Sequence, residues 1–171
     1  EAIDSLNYFL EIGKPNSLIL QNKALALMYI KHYHEALKCY NEALKLDSRL
    51  ISVYPNKTEI LMKLRRFEEA KKCADQGLEV DPNNSELFYL RGLALSHLED
   101  HLGAIESFKT AISLNPDYLD AIIHKGLSYL AIDMRHEAIR VFNKALKIDP
   151  GLKNYVRKVL RGHKKKHHHH Q

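Results

Sequence analysis

One sentence is written four times along this chain, and nothing else in it constrains the fold as much. EALKCYNEALKLDS (35–48), EAKKCADQGLEVDP (69–82), GAIESFKTAISLNP (103–116) and EAIRVFNKALKIDP (137–150) are each displaced from the next by 34 residues. A fixed period of that length implies a series of like units, each supported by its neighbours, rather than a globule with a single centre.

The aligned copies read as packing rules. Ala36, Ala70, Ala104 and Ala138 form one column, with Ala2 two steps of 34 before Ala70. A side chain held to one methyl at the same helical phase marks a close approach of two helix backbones. Four residues on lie Leu6, Tyr40, Ala74, Phe108 and Phe142, and three further lie Phe9, Ala43, Gly77, Ala111 and Ala145. Steps of four and three put all three columns on one helical face. Upstream of each such helix is a second periodic segment, with columns Leu20, Tyr54, Phe88, Ile122; Ala24, Thr58, Gly92, Gly126; and Leu27, Leu61, Leu95, Tyr129. Large, small, large describes a helix that receives a neighbour's bulk over its own small residue. Short turns (KHYHE, RRFEE, EDHLG, DMRHE) separate the two helices, and LDSR, VDPNN, LNPDY or IDPGL ends each unit, where Pro stops a helix. Helices this short are marginal alone, and each pair has apolar residues on more than one side, so the units must stack.

The period and its small, Ala, aromatic and Pro columns resemble the tetratricopeptide repeat, whose pattern is W-x2-L-G-x2-Y, then A-x3-F, then P. The resemblance covers four copies, 17–50, 51–84, 85–118 and 119–152, and a leading half copy, 1–14, that matches only the second helix. It implies an all-α, right-handed α-solenoid of antiparallel helix pairs over residues 1–162. There are departures: no Trp, Ser48 in place of Pro, and an irregular second copy with Thr58 and Ala74. Pro55 in that copy should delay or distort helix entry. The half copy leaves Leu6, Phe9 and Leu10 exposed, and the chain starts with Glu1, so a longer natural chain is expected. Residues 152–162 read as a capping helix, with Leu152, Tyr155, Val156, Val159 and Leu160 toward the last repeat; 163–171 read as a disordered basic, His-rich tail.

The formal charge of +5 is not spread over the surface. Seven Lys or Arg and no acid follow residue 152, leaving 19 bases against 21 acids and a net charge of −2 before it. Docking on nucleic acid, acidic lipid or an acidic protein is therefore an alternative confined to the segment 153–166. No run reaches the roughly 20 apolar residues of a membrane span, and no leader pattern opens the chain. The expected compartment is the cytoplasm, with the nucleus as an alternative. Cys39 and Cys73 occupy one column; on stacked helices they should lie about 8 to 10 Å apart, beyond disulfide reach, as free thiols.

Eleven histidines invite a metal or enzyme reading. His97-Leu-Glu-Asp-His101 has the wrong order for a zinc H-E-x-x-H and falls across a turn, and His32 and His34 flank Tyr33 in another; all four read as solvated turn residues. His167 to His170 read as a tag-like or low-complexity run. Without a Gly-rich phosphate loop, a nucleophile elbow or a supported carboxylate pair, no enzymatic activity, cofactor, metal or small-molecule substrate is expected.

What remains is surface. The resemblance implies a concave groove lined by the first helix of each copy, holding an extended or helical protein segment. Matching phase puts there Gln21, Asn22, Leu25, Met28 and Tyr29; Asn56, Glu59, Met62 and Lys63; Glu86, Tyr89, Leu90, Leu93 and His97; and His124 and Leu127. Leu93 and Leu127 also suit plain interhelix packing, and Glu86 and Asp120 suit the helix dipole. Chaperone-binding members of the family clamp a C-terminal carboxylate with Lys and Asn, then Asn, then Lys and Arg. The matching places here are Gln21 and Leu25, Asn56, and Glu86 and Leu90; only Asn56 fits, so no chaperone-tail binding is expected. The leading expectation is a non-catalytic adaptor or scaffold for a protein segment. An accessory repeat region of a larger enzyme is a further alternative.

Overall fold

The computed structural model describes residues 2–4 and 16–168. The helices are α1 (Ser17–Tyr29), α2 (Tyr33–Leu46), α3 (Val53–Lys63), α4 (Phe67–Val80), α5 (Ser85–His97), α6 (His101–Leu114), α7 (Leu119–Ala131), α8 (Arg135–Ile148) and α9 (Lys153–His168). Among the described residues there is no strand. Helices pair as α1–α2, α3–α4, α5–α6 and α7–α8, and each pair packs on the next, so the chain is an α-solenoid of tetratricopeptide type.

The column residues explain the packing. Ala36, Ala70, Ala104 and Ala138 are fully buried, as are Ala43, Ala111 and Ala145. A Cβ added to Gly92 would meet Phe108 Cε1 at 2.5 Å, and one added to Gly126 would meet Phe142 Cε1 at 2.6 Å. Each phenyl ring thus lies against bare backbone of the preceding helix, and its burial stabilises by roughly 1.5–3 kcal/mol. In the second repeat both columns change together: Thr58 replaces the glycine, Ala74 replaces the ring, and both are buried. The larger residue on one side makes up part of the volume lost on the other. The Thr58 hydroxyl is satisfied by donating to the Tyr54 carbonyl at 2.7 Å.

Every first helix ends in the same way. The residue after the C-cap has φ near +60°: Lys31 (62), Arg65 (59), Glu99 (64) and Asp133 (64). The next amide then reaches back to a carbonyl five residues earlier, as in His32 N to Leu27 O (2.8 Å), Arg66 to Leu61 (2.9 Å), Asp100 to Leu95 (2.9 Å) and Met134 to Tyr129 (2.8 Å). These paired return bonds satisfy carbonyls orphaned at a helix end and turn the chain into the second helix.

α3 begins at Val53, two residues later in phase than α1 and α5, with Pro55 as its third residue. The delay expected from Pro55 is therefore present. Backbone packing of α2 against α3 is correspondingly sparser than at the later junctions between repeats.

The expected half copy, with Leu6, Phe9 and Leu10, lies outside the described residues except for 2–4. Those three are helical, and Ile3 packs on the core that runs from the first repeat through the second. At the other end Pro150–Leu152 form a 3-10 turn leading into α9, which seats Val156 against the last repeat with Val159 and Leu160 beside it. Tyr155, expected on that face, is exposed. The helix was expected to end at 162 before a disordered tail, but it runs on to His168. The helix carries on through Gly162, a poor helix former, because the extension is anchored. Arg135 Nη1 donates to the Leu160 carbonyl at 2.9 Å and lies 3.3 Å from His163 Nδ1, while His163 Nε2 is 3.3 Å from Asp133 Oδ1.

Both cysteines are buried free thiols. Burial pushes each thiol's pKa up, and Cys73 Sγ lies 3.7 Å from the Tyr54 carbonyl. Raised thiols are poor nucleophiles, consistent with packing roles.

Candidate functional site

The first helices α1, α3, α5 and α7 line one side of the stack, and two cavities open between them. The first, about 360 Å³, is bounded by Leu25, Met28, Tyr29, Lys31, Tyr33, Asn56, Glu59 and Lys63. The second, about 430 Å³, is bounded by Glu59, Met62, Lys63, Glu86, Tyr89, Leu90, Leu93, Tyr118 and Asp120. Glu59 and Lys63 border both, so the two form one groove running across α3.

Eleven of the residues expected in the groove converge there: Leu25, Met28, Tyr29, Asn56, Glu59, Met62, Lys63, Glu86, Tyr89, Leu90 and Leu93. Asn56 is partly engaged, its amide donating to the Tyr40 hydroxyl at 3.1 Å. Leu93 both borders the cavity and packs on the third repeat's core, so its two readings coexist. The other five border neither cavity. Gln21 accepts from Ser52 Oγ at 2.8 Å and ties α1 to the turn before α3. Asn22 is exposed outside both cavities. His97 stacks on Phe67, with ring centroids 4.2 Å apart and planes within 3°. Leu127 packs on the fourth repeat's core. His124 is half-buried with its ring 5.8 Å from Tyr89 and 6.1 Å from Phe108. Burial first, and His97 after it, hold its pKa below the ordinary imidazole value against the opposing pull of Asp120.

Lys31, Tyr33, Tyr118 and Asp120 join the site without being foreseen as lining residues. Lys31 comes from the left-handed turn and Tyr33 from the start of α2, while Tyr118 comes from the turn before α7. Phase matching along first helices reaches none of these three.

The second cavity is electrostatically uneven, with three carboxylates facing one ammonium. Burial and then Glu59 push the Glu86 carboxyl above the ordinary range. Burial, with Asp120 adding to it, pushes Tyr89 up to about 12. Tyr118 is pushed up as well, by burial first and then by Glu86, Tyr89 and Asp120. The Tyr89 and Tyr118 rings lie 5.1 Å apart, tilted by 40°.

The histidines expected in solvated turns divide. His32 is exposed, 3.9 Å from Glu35, and His34 is exposed too. His101 is instead half-buried, its Nε2 3.0 Å from Glu99, and His97 is packed on a ring as described. Among the described residues no group of three His, Cys, Asp or Glu side chains is arranged to hold a metal. No helix among them is long and apolar enough to cross a membrane.

Tetratricopeptide-repeat family models match residues 17–50, 59–118 and 119–152. The gap between the first two falls on the turn before α3 and that helix's irregular first half. No curated protein sequence matches the chain. Among solved structures, a crystal structure of MamA is 22% identical, with 90% of each chain covered and a TM-score of 0.84. MamA 41-end from Desulfovibrio magneticus RS-1 is 21% identical, covering 87% of this chain and 84% of that one with a TM-score of 0.82. YrrB, titled a TPR protein with an unusual peptide-binding site, is 26% identical over 96% of this chain and 86% of its own, with a TM-score of 0.78. The repeat models, the paired helices and these likenesses agree: the chain belongs to the tetratricopeptide-repeat family, a fold that serves protein interaction.

Proposed function

We propose that this chain is a non-catalytic adaptor that holds a segment of a partner protein in the groove across α1, α3 and α5. The observation that carries the reading is the continuity of the two cavities through Glu59 and Lys63. Apolar walls from Leu25, Met28, Met62 and Leu93 can receive a guest's side chains, and Lys63, Glu59 and Asn56 can meet its backbone or polar groups. YrrB, whose title names a peptide-binding site, lends support from the same fold.

The groove does not suit a chaperone tail. Its second cavity would place an acidic C-terminal carboxylate among Glu59, Glu86 and Asp120, so calorimetry with such a peptide is expected to register no micromolar affinity.

The test is selection of binding segments from a displayed peptide library, followed by affinity measurement on two variants. Tyr29→Glu with Met62→Glu is expected to remove binding, while charge reversal at Arg157 and Lys158 leaves it intact and only weakly salt-dependent. The opposite pattern would favour the second reading, in which the basic face of α9 docks a polyanion. Exposed Lys153, Arg157, Lys158 and Arg161 support that reading. Insertion of α9 into a lipid surface is disfavoured, because Val156, Val159 and Leu160 are already spent on the last repeat.

A further inference from the structure

The second cavity is built from residues that break the repeat. The column through Glu59 is otherwise Leu25, Leu93 and Leu127; the column through Glu86 and Asp120 begins with Leu18 and Ser52. Tyr89 stands in a column with Gln21, Pro55 and Ile123, and Tyr118 in one with Asn16, Leu50, Asn84 and Leu152. The scaffold asks for none of these five side chains, since other types fill the same places in sister repeats. All five nevertheless meet in one cavity. A helix-dipole role accounts for Glu86 and Asp120 in their first turns, but not for Glu59 in the middle of α3.

Among the described residues none of these three carboxylates has an ion-pair partner. Among the described residues Lys63 is the single cation on the cavity wall, and it is shared with the first cavity. The tilted pair Tyr89 and Tyr118 lines the same cavity beside those acids. Unmatched carboxylates next to aromatic faces suit a cation that is planar, weakly hydrated and able to donate on several sides, which describes guanidinium better than ammonium.

Resting on the groove reading above, we propose that the cavity between α3, α5 and the start of α7 takes an arginine side chain of the bound segment. Its guanidinium would sit between Glu59, Glu86 and Asp120 and against Tyr89 and Tyr118. The carboxylates accept its N–H bonds, and the ring faces meet its plane. Neighbouring apolar side chains of the guest fall toward Met62 and Leu93 on one side and Leu25 and Met28 on the other.

The experiment uses the whole 171-residue chain. Three blocked pentapeptides, leucine–alanine–X–alanine–leucine with X as arginine, lysine or citrulline, are titrated while amide and tyrosine ring resonances are followed by NMR. The arginine peptide is expected to bind about tenfold more tightly than its neutral citrulline counterpart, with lysine between them. Shifts should centre on Tyr89, Tyr118 and the first turns of α5 and α7. The double variant Glu86→Gln/Asp120→Asn should bring the arginine peptide down to the citrulline level without changing citrulline affinity, which also serves as the check that the variant is folded. Equal affinity for arginine and citrulline, or an arginine preference untouched by the double variant, would overturn the proposal. If that equality came with loss of all three peptides in Met62→Glu, the groove reading would stand and only the arginine site would fall. Shifts that avoid the groove altogether would sink both.

Discussion

Lys31, Arg65, Glu99 and Asp133 each hold a left-handed backbone conformation that costs an L-residue roughly 1–2 kcal/mol and glycine far less. Replacing exposed Lys31 with Gly removes that cost and adds unfolded-state entropy of about half its size. Lys31→Gly is therefore expected to stabilise by about 0.5–1 kcal/mol, read as a higher urea midpoint with an unchanged m-value. Glu86 supplies a test with the opposite logic. Its carboxyl pKa is raised in the folded chain, by burial and then by Glu59. A raised folded pKa helps folding below the ordinary carboxylate value, and that help is lost as pH rises through the raised one. At neutral pH the charged group thus opposes folding, among neighbours that include Glu59, Lys63, Tyr89, Tyr118 and Asp120. Glu86→Gln is expected to raise the urea midpoint slightly at pH 7, with the difference from the parent chain closing near pH 4, while the variant binds arginine peptide less well. A gain in stability accompanied by a loss of recognition marks a residue kept for a guest.

At the scale of the helix, α9 is the element whose docking is most exposed to test. Arg135 holds its later half through the Leu160 carbonyl and His163. Arg135→Met keeps the stem and removes the donors, and is expected to cost about 1 kcal/mol locally. Amide exchange should quicken over residues 160–168 while α5 and α6 keep their protection. Helix phases were readable in the sequence because burial repeats with them, and the late start of α3 was readable from Pro55. The run of α9 to His168 was not, because its anchors come from Arg135 and Asp133 in another repeat. Neither was the loss of Gln21 to Ser52, which depends on how the turn before α3 folds back. The groove was legible where first helices supply it, through residues such as Met62 and Tyr89. It was illegible at Lys31 and Tyr118, which turns deliver from outside the helical phase.

Across the whole molecule, stability is distributed along the stack rather than concentrated at a centre. Backbone packing of α2 against α3 is sparser than at any later junction, although buried side chains of the first repeat share one core with the second. Native-state hydrogen exchange is expected to find residues 17–46 opening at a lower free energy than 85–148, by about 1–2 kcal/mol, instead of one global value for both. The same junction borders the first cavity, so a guest that bridges α1 and α3 should reduce the difference. The left-handed turns carry a last consequence. The return bonds of each hairpin join main-chain atoms, which leaves the identity of the side chain at its apex open to other uses. Lys31 is turned toward the first cavity, while Asp133 lies beside His163 of the terminal helix. A corner such as Lys31 is a place where such a protein can be retuned, by selection or by an engineer, without renegotiating the scaffold that carries it.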